Sequence, residues 1–161
     1  MANETDVDLY YQWVNDEVVR QNAFSQDKIE YDAHVNWFSK RVRGENCFMY
    51  LFYTEPDKYV GQIRIENNNN EMTIDISIDK TYRGKGFGTQ MLKIAIKKFF
   101  VKKPSYMLYS YIKEENIASI SSFKKAHFHF LENLIINGIS TQKYFITKAI
   151  FINESLHSSI K

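Results

Sequence analysis

The sequence predicts a single-domain mixed α/β protein in which about four helices flank a central, mostly antiparallel sheet. Three observations predict this fold. Residues 71–78 alternate polar and apolar side chains, as a half-buried strand does. A turn rich in glycine and basic residues follows, and an amphipathic helix begins directly after it. The other periodic and turn-forming segments complete the order α-α-β-β-β-α-β-α-β-β.

The N-terminal half is predicted to contain two helices and three strands. Apolar side chains at helical spacing mark the helices, and β-type runs separated by turn residues mark the strands. The helices are residues 6–16 and 29–42, and the strands are residues 48–53, 59–66 and 71–78.

The turn after the third strand is the most informative segment of the chain. It reads Arg83-Gly84-Lys85-Gly86-Phe87-Gly88-Thr89. Free backbone N–H groups at a helix N-terminus bind anions, and glycines let a phosphate approach the backbone closely. A P-loop is excluded because Gly86 follows Lys85, and a dinucleotide fingerprint is excluded because Thr89 stands at its third glycine. We therefore expect a phosphate or pyrophosphate ligand here.

The C-terminal half continues with alternating elements. The helix after the turn carries an apolar stripe, and lysines and Pro104 mark its end. A strand at residues 106–112 and a helix at 116–126 follow. A hairpin of residues 128–136 and 143–150 around Asn137-Gly138 closes the fold.

The pattern Arg-x-x-Gly-x-Gly after a strand resembles the acyl-CoA pyrophosphate loop of the GCN5-related N-acetyltransferase (GNAT) family. The resemblance extends from about residue 6 to residue 150. That family begins with a strand, whereas only Met1 and Ala2 precede the first helix cap here, so the first strand is short, absent or lost to a late start. The resemblance implies a GNAT domain at residues 1–152 and a flexible C-terminal tail at residues 153–161.

The resemblance implies acetyl-CoA as cosubstrate, with no metal. The residues it assigns to the cofactor are Ile76, Ile78, Arg83, Gly84, Lys85, Gly86, Phe87, Gly88, Thr89, Asn116 and Phe123. Asn116 aligns with a family asparagine that bonds the pantetheine arm, although an asparagine here also suits a helix cap.

The chemistry implied is direct attack of a neutral amine on the thioester, which needs a base for the ammonium proton. The polar face of the third strand offers Asp75 first and then Glu71, while Glu66 lies on the partner strand. A water-relayed base would also suffice.

An acid for the departing thiolate is less obvious. The family's usual tyrosine is replaced by Phe123, and a glycine just before Phe128 is replaced by His127. Tyr109 and Tyr111 on the neighbouring strand are the substitute candidates, or the thiolate leaves without assistance.

The N-terminal segments resemble the GNAT branch that acetylates nucleotide-linked amino sugars for bacterial surface polysaccharides or flagellin glycans. They are Trp13-Val-Asn15-Asp16, Arg20 and its neighbours, His34-Val-Asn-Trp37-Phe38 and Val60-Gly61-Gln62-Ile63-Arg64. The substrate-binding residues implied are Trp13, Asn15, Arg20, His34 and Trp37, for which core packing is the alternative role. The alternative functions are N-terminal acetylation of proteins or peptides, and a catalytically silent acyl-CoA-binding module.

Composition limits the remaining classes. The chain has 161 residues, is 44% hydrophobic and 25% charged, and carries a net charge of +2, which is too small to favour nucleic acid. Cys47 is a lone cysteine, and the four histidines are scattered, so neither a disulfide nor a zinc site is expected. No apolar run of about 18 residues and no signal peptide is present. We expect a cytoplasmic protein with a small-molecule amine as partner, and a homodimer is compatible with the sequence.

Overall fold

The structure is a computed structural model that describes residues 1–158. Its helices are α1 (Val7–Val14), α2 (Glu17–Asn22), α3 (Tyr31–Val42), α4 (Phe87–Lys102), α5 (Ile117–Lys125) and α6 (Lys148–Ser158). Its strands are β1 (Cys47–Tyr53), β2 (Tyr59–Asn68), β3 (Glu71–Ile78), β4 (Met107–Lys113), β5 (His129–Ile136) and β6 (Ile139–Thr147). No helix within the described residues is long and apolar enough to cross a membrane.

These strands form one sheet in the order β1-β2-β3-β4-β6-β5. Neighbours are antiparallel except β3 and β4, which run parallel. That pair shares two register positions, Met72 opposite Leu108 and Thr73 opposite Tyr109. Beyond Thr73 the two strands separate, so the second half of β3 borders a gap. The predicted mixed, mostly antiparallel sheet is confirmed.

Each face of the sheet carries its own core, because strand side chains alternate between the faces. The stripe of α4 packs on one face, with buried residues that include Ile63, Ile65, Ile74, Leu92, Ile96 and Leu108. Helices α1 and α3 pack on the other face, where Tyr10, Trp13, Phe38 and Met49 are buried. Polar residues of β3 such as Asp75 therefore lie on the face that α1 and α3 cover.

The first strand of the family pattern is absent from the described residues. The N-terminus runs beside β1, and the Ala2 N–H donates to the Met49 carbonyl at 2.8 Å. A 3₁₀ turn at Glu4–Asp6 then leads into α1, with Asn3 and Asp6 forming a capping box. Among the described residues, the Ala2–Met49 hydrogen bond is thus the contact with β1 at the place where the family's first strand would pair.

Two regions differ from the prediction. Helix α2 was not predicted, because its six residues bury no side chain and show no apolar period. The final strand was predicted at residues 143–150, but β6 begins at Ile139, since Asn137 and Gly138 (φ 50° and 78°) make a two-residue turn. Residues 148–150 were predicted as strand and instead begin α6, which extends to Ser158. The flexible tail at residues 153–161 stays a prediction, and residues 159–161 lie outside the described residues.

Candidate active site

A cavity of about 530 Å³ opens where β3 and β4 separate. The ends of these strands, the glycine-rich turn, the start of α5 and the helices α1 to α3 enclose it. The chain therefore brings most of the predicted cofactor and acceptor residues to one place.

The end of β3 turns backbone groups toward this gap. The Asp79 N–H donates to the Val60 carbonyl on β2, and antiparallel pairing alternates from residue to residue. By this alternation the backbone groups of Ser77 also face β2, whereas those of Ile76 and Ile78 face the gap. Ile76 and Ile78 both line the cavity, as predicted for cofactor residues.

The glycines of the turn serve two different purposes. Gly84 and Gly86 have φ of 73° and 82°, and a Cβ built on either would meet no atom within 4 Å. They are needed for the left-handed backbone, and they leave open space above the loop. Gly88 is packed instead, because its Cβ would lie 2.9 Å from Ile78 Cδ1. Gly86 caps α4, and the first residues of α4, Phe87, Gly88 and Thr89, line the cavity. The free N–H groups at a helix N-terminus make such a segment suitable for an anion.

The two cations of the turn bond to the protein. Arg83 donates from Nη2 to Asp16 Oδ1 at 2.6 Å and from Nε to the Ile78 carbonyl at 3.0 Å. Lys85 donates to the Thr81 carbonyl at 2.8 Å and does not line the cavity. Arg83 lines the cavity but links the cofactor turn to the start of α2, a connection that the sequence did not indicate.

The start of α5 closes the cofactor side. Asn116 caps the helix, with Oδ1 accepting from the Ser119 N–H at 3.1 Å, and it also lines the cavity. The two roles considered for Asn116 are therefore compatible. Phe123 lines the cavity too, but it is 1% exposed and its ring packs edge-on against Phe128 at 4.9 Å.

The two base candidates have different surroundings. Asp75 is exposed, lines the cavity and accepts from Arg64 Nη2 at 2.7 Å. Glu71 does not line the cavity. Burial would raise the pKa of Glu71, but hydrogen bonds from Lys143 and Tyr111 outweigh burial and lower it. Asp75 is therefore the better placed of the two.

The acid candidates share one polar cluster. Tyr111 lines the cavity and donates to Glu71, and its pKa is raised by burial and by that hydrogen bond. Burial lowers the pKa of Lys143, but bonds to Glu71 and Tyr111 outweigh it and raise the value. Lys143 Nζ lies 4.5 Å from the centre of the Tyr109 ring, and Tyr109 is not a cavity residue. Of the two acid candidates, Tyr111 is thus the one that lines the cavity.

Four of the five predicted acceptor residues line the cavity: Trp13, Arg20, His34 and Trp37. Asn15 does not, because its side chain bonds to the backbone of Ile29. Nδ2 donates to the Ile29 carbonyl at 3.0 Å, and Oδ1 accepts from the Ile29 N–H at 2.8 Å. Asn15 therefore fixes the loop between α2 and α3.

The cavity-lining acceptor residues are held firmly. Trp13 Nε1 donates to Asp79 Oδ2 at 3.1 Å, and Trp37 stacks on the Arg64 guanidinium at 5.1 Å. His34 Nε2 lies 3.1 Å from the Val7 carbonyl; since a carbonyl only accepts, Nε2 carries the proton. Burial lowers the pKa of His34, so its ring is neutral at pH 7.

The cavity residues that the sequence did not lead us to select include the polar residues Arg64, Ser77 and Lys113. Arg64 and Ser77 each lie two residues from a base candidate on the same strand, Glu66 and Asp75 respectively. Since residues two apart on a strand share a face, the alternation of the strand could have identified both. A single lysine at the end of a strand gives no such signal. Among the described residues, no group of three His, Cys, Asp or Glu side chains is arranged to hold a metal ion.

Comparison with known proteins identifies the family. Residues 1–129 match the model of the acetyltransferase (GNAT) domain. The chain belongs to the GNAT family. The predicted family and fold are therefore confirmed, and the predicted class, an acetyl-CoA-dependent N-acetyltransferase, is that of the family.

Individual relatives are named for polyamines and aminoglycosides. A probable spermine N(1)-acetyltransferase of Bacillus subtilis subsp. natto is 33% identical over 91 residues, which are 56% of this chain and 55% of the relative. The match thus spans about half the length of that GNAT enzyme.

Solved structures agree with the GNAT fold. Spermidine N-acetyltransferase of Vibrio cholerae in complex with CoA and spermine has a TM-score of 0.83 at 16% identity, covering 94% of this chain and 95% of that one. An aminoglycoside acetyltransferase in complex with coenzyme A has a TM-score of 0.78 at 14% identity, with 95% of each chain covered. At such identities the likeness concerns the fold.

Proposed function

We propose that this protein transfers the acetyl group of acetyl-CoA to a primary amine of a small molecule. The observation that supports the proposal most is the gap between β3 and β4, which joins an open, glycine-lined helix N-terminus to a polar and aromatic wall. A phosphate-bearing thioester and an amine can meet there. Family membership supports the same reaction.

The transfer needs one bond to form and one to break. The neutral amine attacks the thioester carbonyl carbon, the new C–N bond forms, and the C–S bond breaks to release coenzyme A as thiolate. A backbone N–H of Ile76 or Ile78 is placed to donate to the carbonyl oxygen as it gains charge. Asp75, directly or through water, takes the proton that the ammonium must lose before attack. Tyr111 is the proposed donor to the thiolate, and it recovers a proton, through solvent, from the nitrogen that loses one as the amide forms.

The acceptor we propose is a nucleotide-linked amino sugar of bacterial surface-polysaccharide or flagellin glycan biosynthesis. Aromatic side chains on the acceptor side suit a sugar or base, and cations dominate the charged lining. The lining cations are Arg20, Arg64, Arg83, Lys113 and Lys125, and the lining carboxylate is Asp75. Arg64 pairs with Asp75 and Glu66, and Arg83 pairs with Asp16, so Arg20, Lys113 and Lys125 are the lining cations with no carboxylate within 4 Å among the described residues. Such a lining favours a substrate that carries an anionic group.

A polyamine or aminoglycoside is the second candidate, because relatives of this chain are named for these acceptors. The excess of cations speaks against it, since a polycation needs carboxylates around it. N-terminal acetylation of proteins and a catalytically silent acyl-CoA-binding module remain alternatives. The cytoplasmic location and a homodimer stay predictions.

Thiol release from acetyl-CoA, measured with a panel of amines, tests these proposals. The panel contains UDP- and CMP-linked amino sugars, spermidine, spermine, an aminoglycoside and short peptides with free N-termini. We expect the nucleotide-linked sugars to give the highest kcat/KM. Turnover of spermidine without turnover of any nucleotide sugar would establish the second candidate instead, and CoA binding without turnover of any amine would favour the silent module.

A further inference from the structure

Lys113 is a buried cation that the proposed reaction does not use. It ends β4, is 2% exposed and lines the cavity. Its Nζ donates to the carbonyl of Gln21 in α2 at 2.6 Å. That bond brings α2 across the open end of the gap.

The charge of Lys113 is not balanced by the protein. No carboxylate within the described part of the chain lies within 4 Å of Nζ, and one hydrogen bond satisfies one of three N–H donors. Removing an ammonium from water is costly unless an opposite charge or further acceptors replace the water. A ligand in the cavity can supply both.

Arg20 is a second cation, half-buried and without a carboxylate within 4 Å among the described residues. It precedes Gln21 in α2, lines the cavity, and donates from Nη1 to the carbonyls of Ser25 and Asp27. Its Nε is enclosed and has no partner among residues 1–158. Burial lowers the pKa of Arg20, as it does for a cation without a counter-charge nearby.

The position of Lys113 separates it from the cofactor phosphates. The preceding residue, Ile112, packs in the core beneath α4, so Lys113 points to the opposite face of the sheet. That face carries Asp75 and the α1 to α3 segment, whereas the glycine turn leads into α4. The anion that Lys113 attracts is therefore one carried by the acceptor.

We propose that Lys113 and Arg20 form an anion subsite that binds a phosphate or carboxylate group of the amine substrate. This inference rests on the proposed acetyl transfer and names the feature of the acceptor that is recognised. The subsite favours an amine that also bears a negative charge, and it disfavours a polycation.

Calorimetric titration with saturating CoA tests the subsite without turnover, because CoA occupies the glycine turn. The probes are UMP for a phosphate and glucuronate for a carboxylate. The variants are Lys113→Gln and Arg20→Gln, and the control is Lys97→Gln, an exposed residue of α4 away from the cavity. We expect at least one probe to bind the wild type and the control equally, and to bind each subsite variant about tenfold more weakly or worse.

Kinetics provide the second readout. The kcat/KM of a nucleotide-linked amino sugar is compared with that of the free amino sugar. Lys113→Gln should lower this ratio by raising the KM of the nucleotide-linked form, with little change in kcat or in CoA affinity.

Failure of both probes to bind the wild type would overturn the subsite, and so would binding of a probe by both subsite variants as tightly as by the wild type. If Lys113→Gln does not fold, the wild-type titration and Arg20→Gln still decide. If no amine is acetylated, the proposed function fails, while the calorimetry still tests the subsite.

Discussion

Gly86 offers the sharpest test of the cofactor turn, because Gly138 provides a matched control. Both glycines have a left-handed backbone, with φ of 82° and 78°, and at both a new Cβ would meet no atom within 4 Å. Replacing either by alanine therefore costs the same kind of backbone strain, about 1–2 kcal/mol. For a chain of this length, the Tm should fall by about 2–4 °C for each kcal/mol in both variants. Gly86 lines the cavity, whereas Gly138 lies in the β5–β6 turn away from it.

Only the first variant should lose the cofactor. The Gly86→Ala methyl group occupies the space through which a phosphate approaches the first N–H groups of α4. CoA at about one hundred times its Kd should raise the free energy of unfolding of wild type and Gly138→Ala by about 2.7 kcal/mol. The same CoA concentration should give Gly86→Ala a much smaller thermal shift, since its affinity falls about tenfold or more. Differential scanning fluorimetry with a CoA titration measures this. An equal CoA shift in both variants would refute the assignment of the turn to the pyrophosphate.

Further predictions concern the chemistry and the contacts of the site. Asp75→Asn should lower turnover chiefly below the pKa of the acceptor amine and leave CoA affinity unchanged; a pH–rate profile without that loss would exclude this base. Phe123→Tyr should maintain or increase turnover, because its ring lines the cavity and the new hydroxyl could donate a proton to the departing thiolate, and a fall in kcat at unchanged CoA affinity would count against this. Asp16→Asn should weaken the 2.6 Å contact to Arg83 and raise both the acceptor KM and the CoA Kd, whereas an unchanged CoA Kd would show that the contact does not couple the two sides of the cavity. The lowered pKa of Glu71 stabilises the fold above its unfolded pKa near 4.5 and ceases to do so as pH falls through the folded value, so Glu71→Gln should flatten acid unfolding between those values.

The helices and strands were predictable wherever the periodicity of apolar residues and the turn-forming residues indicated the same element. The alternation in residues 71–78 gave β3 with the bounds that the structure shows, and Asn137-Gly138 marked the final hairpin. Helix α2 was not predicted, because its six residues show no helical spacing of apolar side chains. Its position is fixed by bonds from distant residues, Arg83 at its start and Lys113 at its end.

The sequence predicted which segments line the site, but it did not predict which side chains bond to one another there. The cofactor turn has a local pattern, but the partner of a side chain depends on which strands meet. Asn15 was expected in the acceptor wall, but it bonds to Ile29 and does not line the cavity. Arg83 lines the cavity as expected and also bonds to Asp16, which the sequence did not indicate. Both bonds join residues at least 14 positions apart, and a one-dimensional pattern does not contain such contacts.

The brief contact of β3 with β4 gives the protein two strand edges in its interior. Unpaired edges attract extended chains that carry amide groups, and the pantetheine arm of coenzyme A is such a chain. With it in place, the cofactor would act as a surrogate strand along the part of β3 and β4 where the two strands have separated. Binding of coenzyme A would then add backbone hydrogen bonds between two halves of the sheet that pair directly at only two register positions.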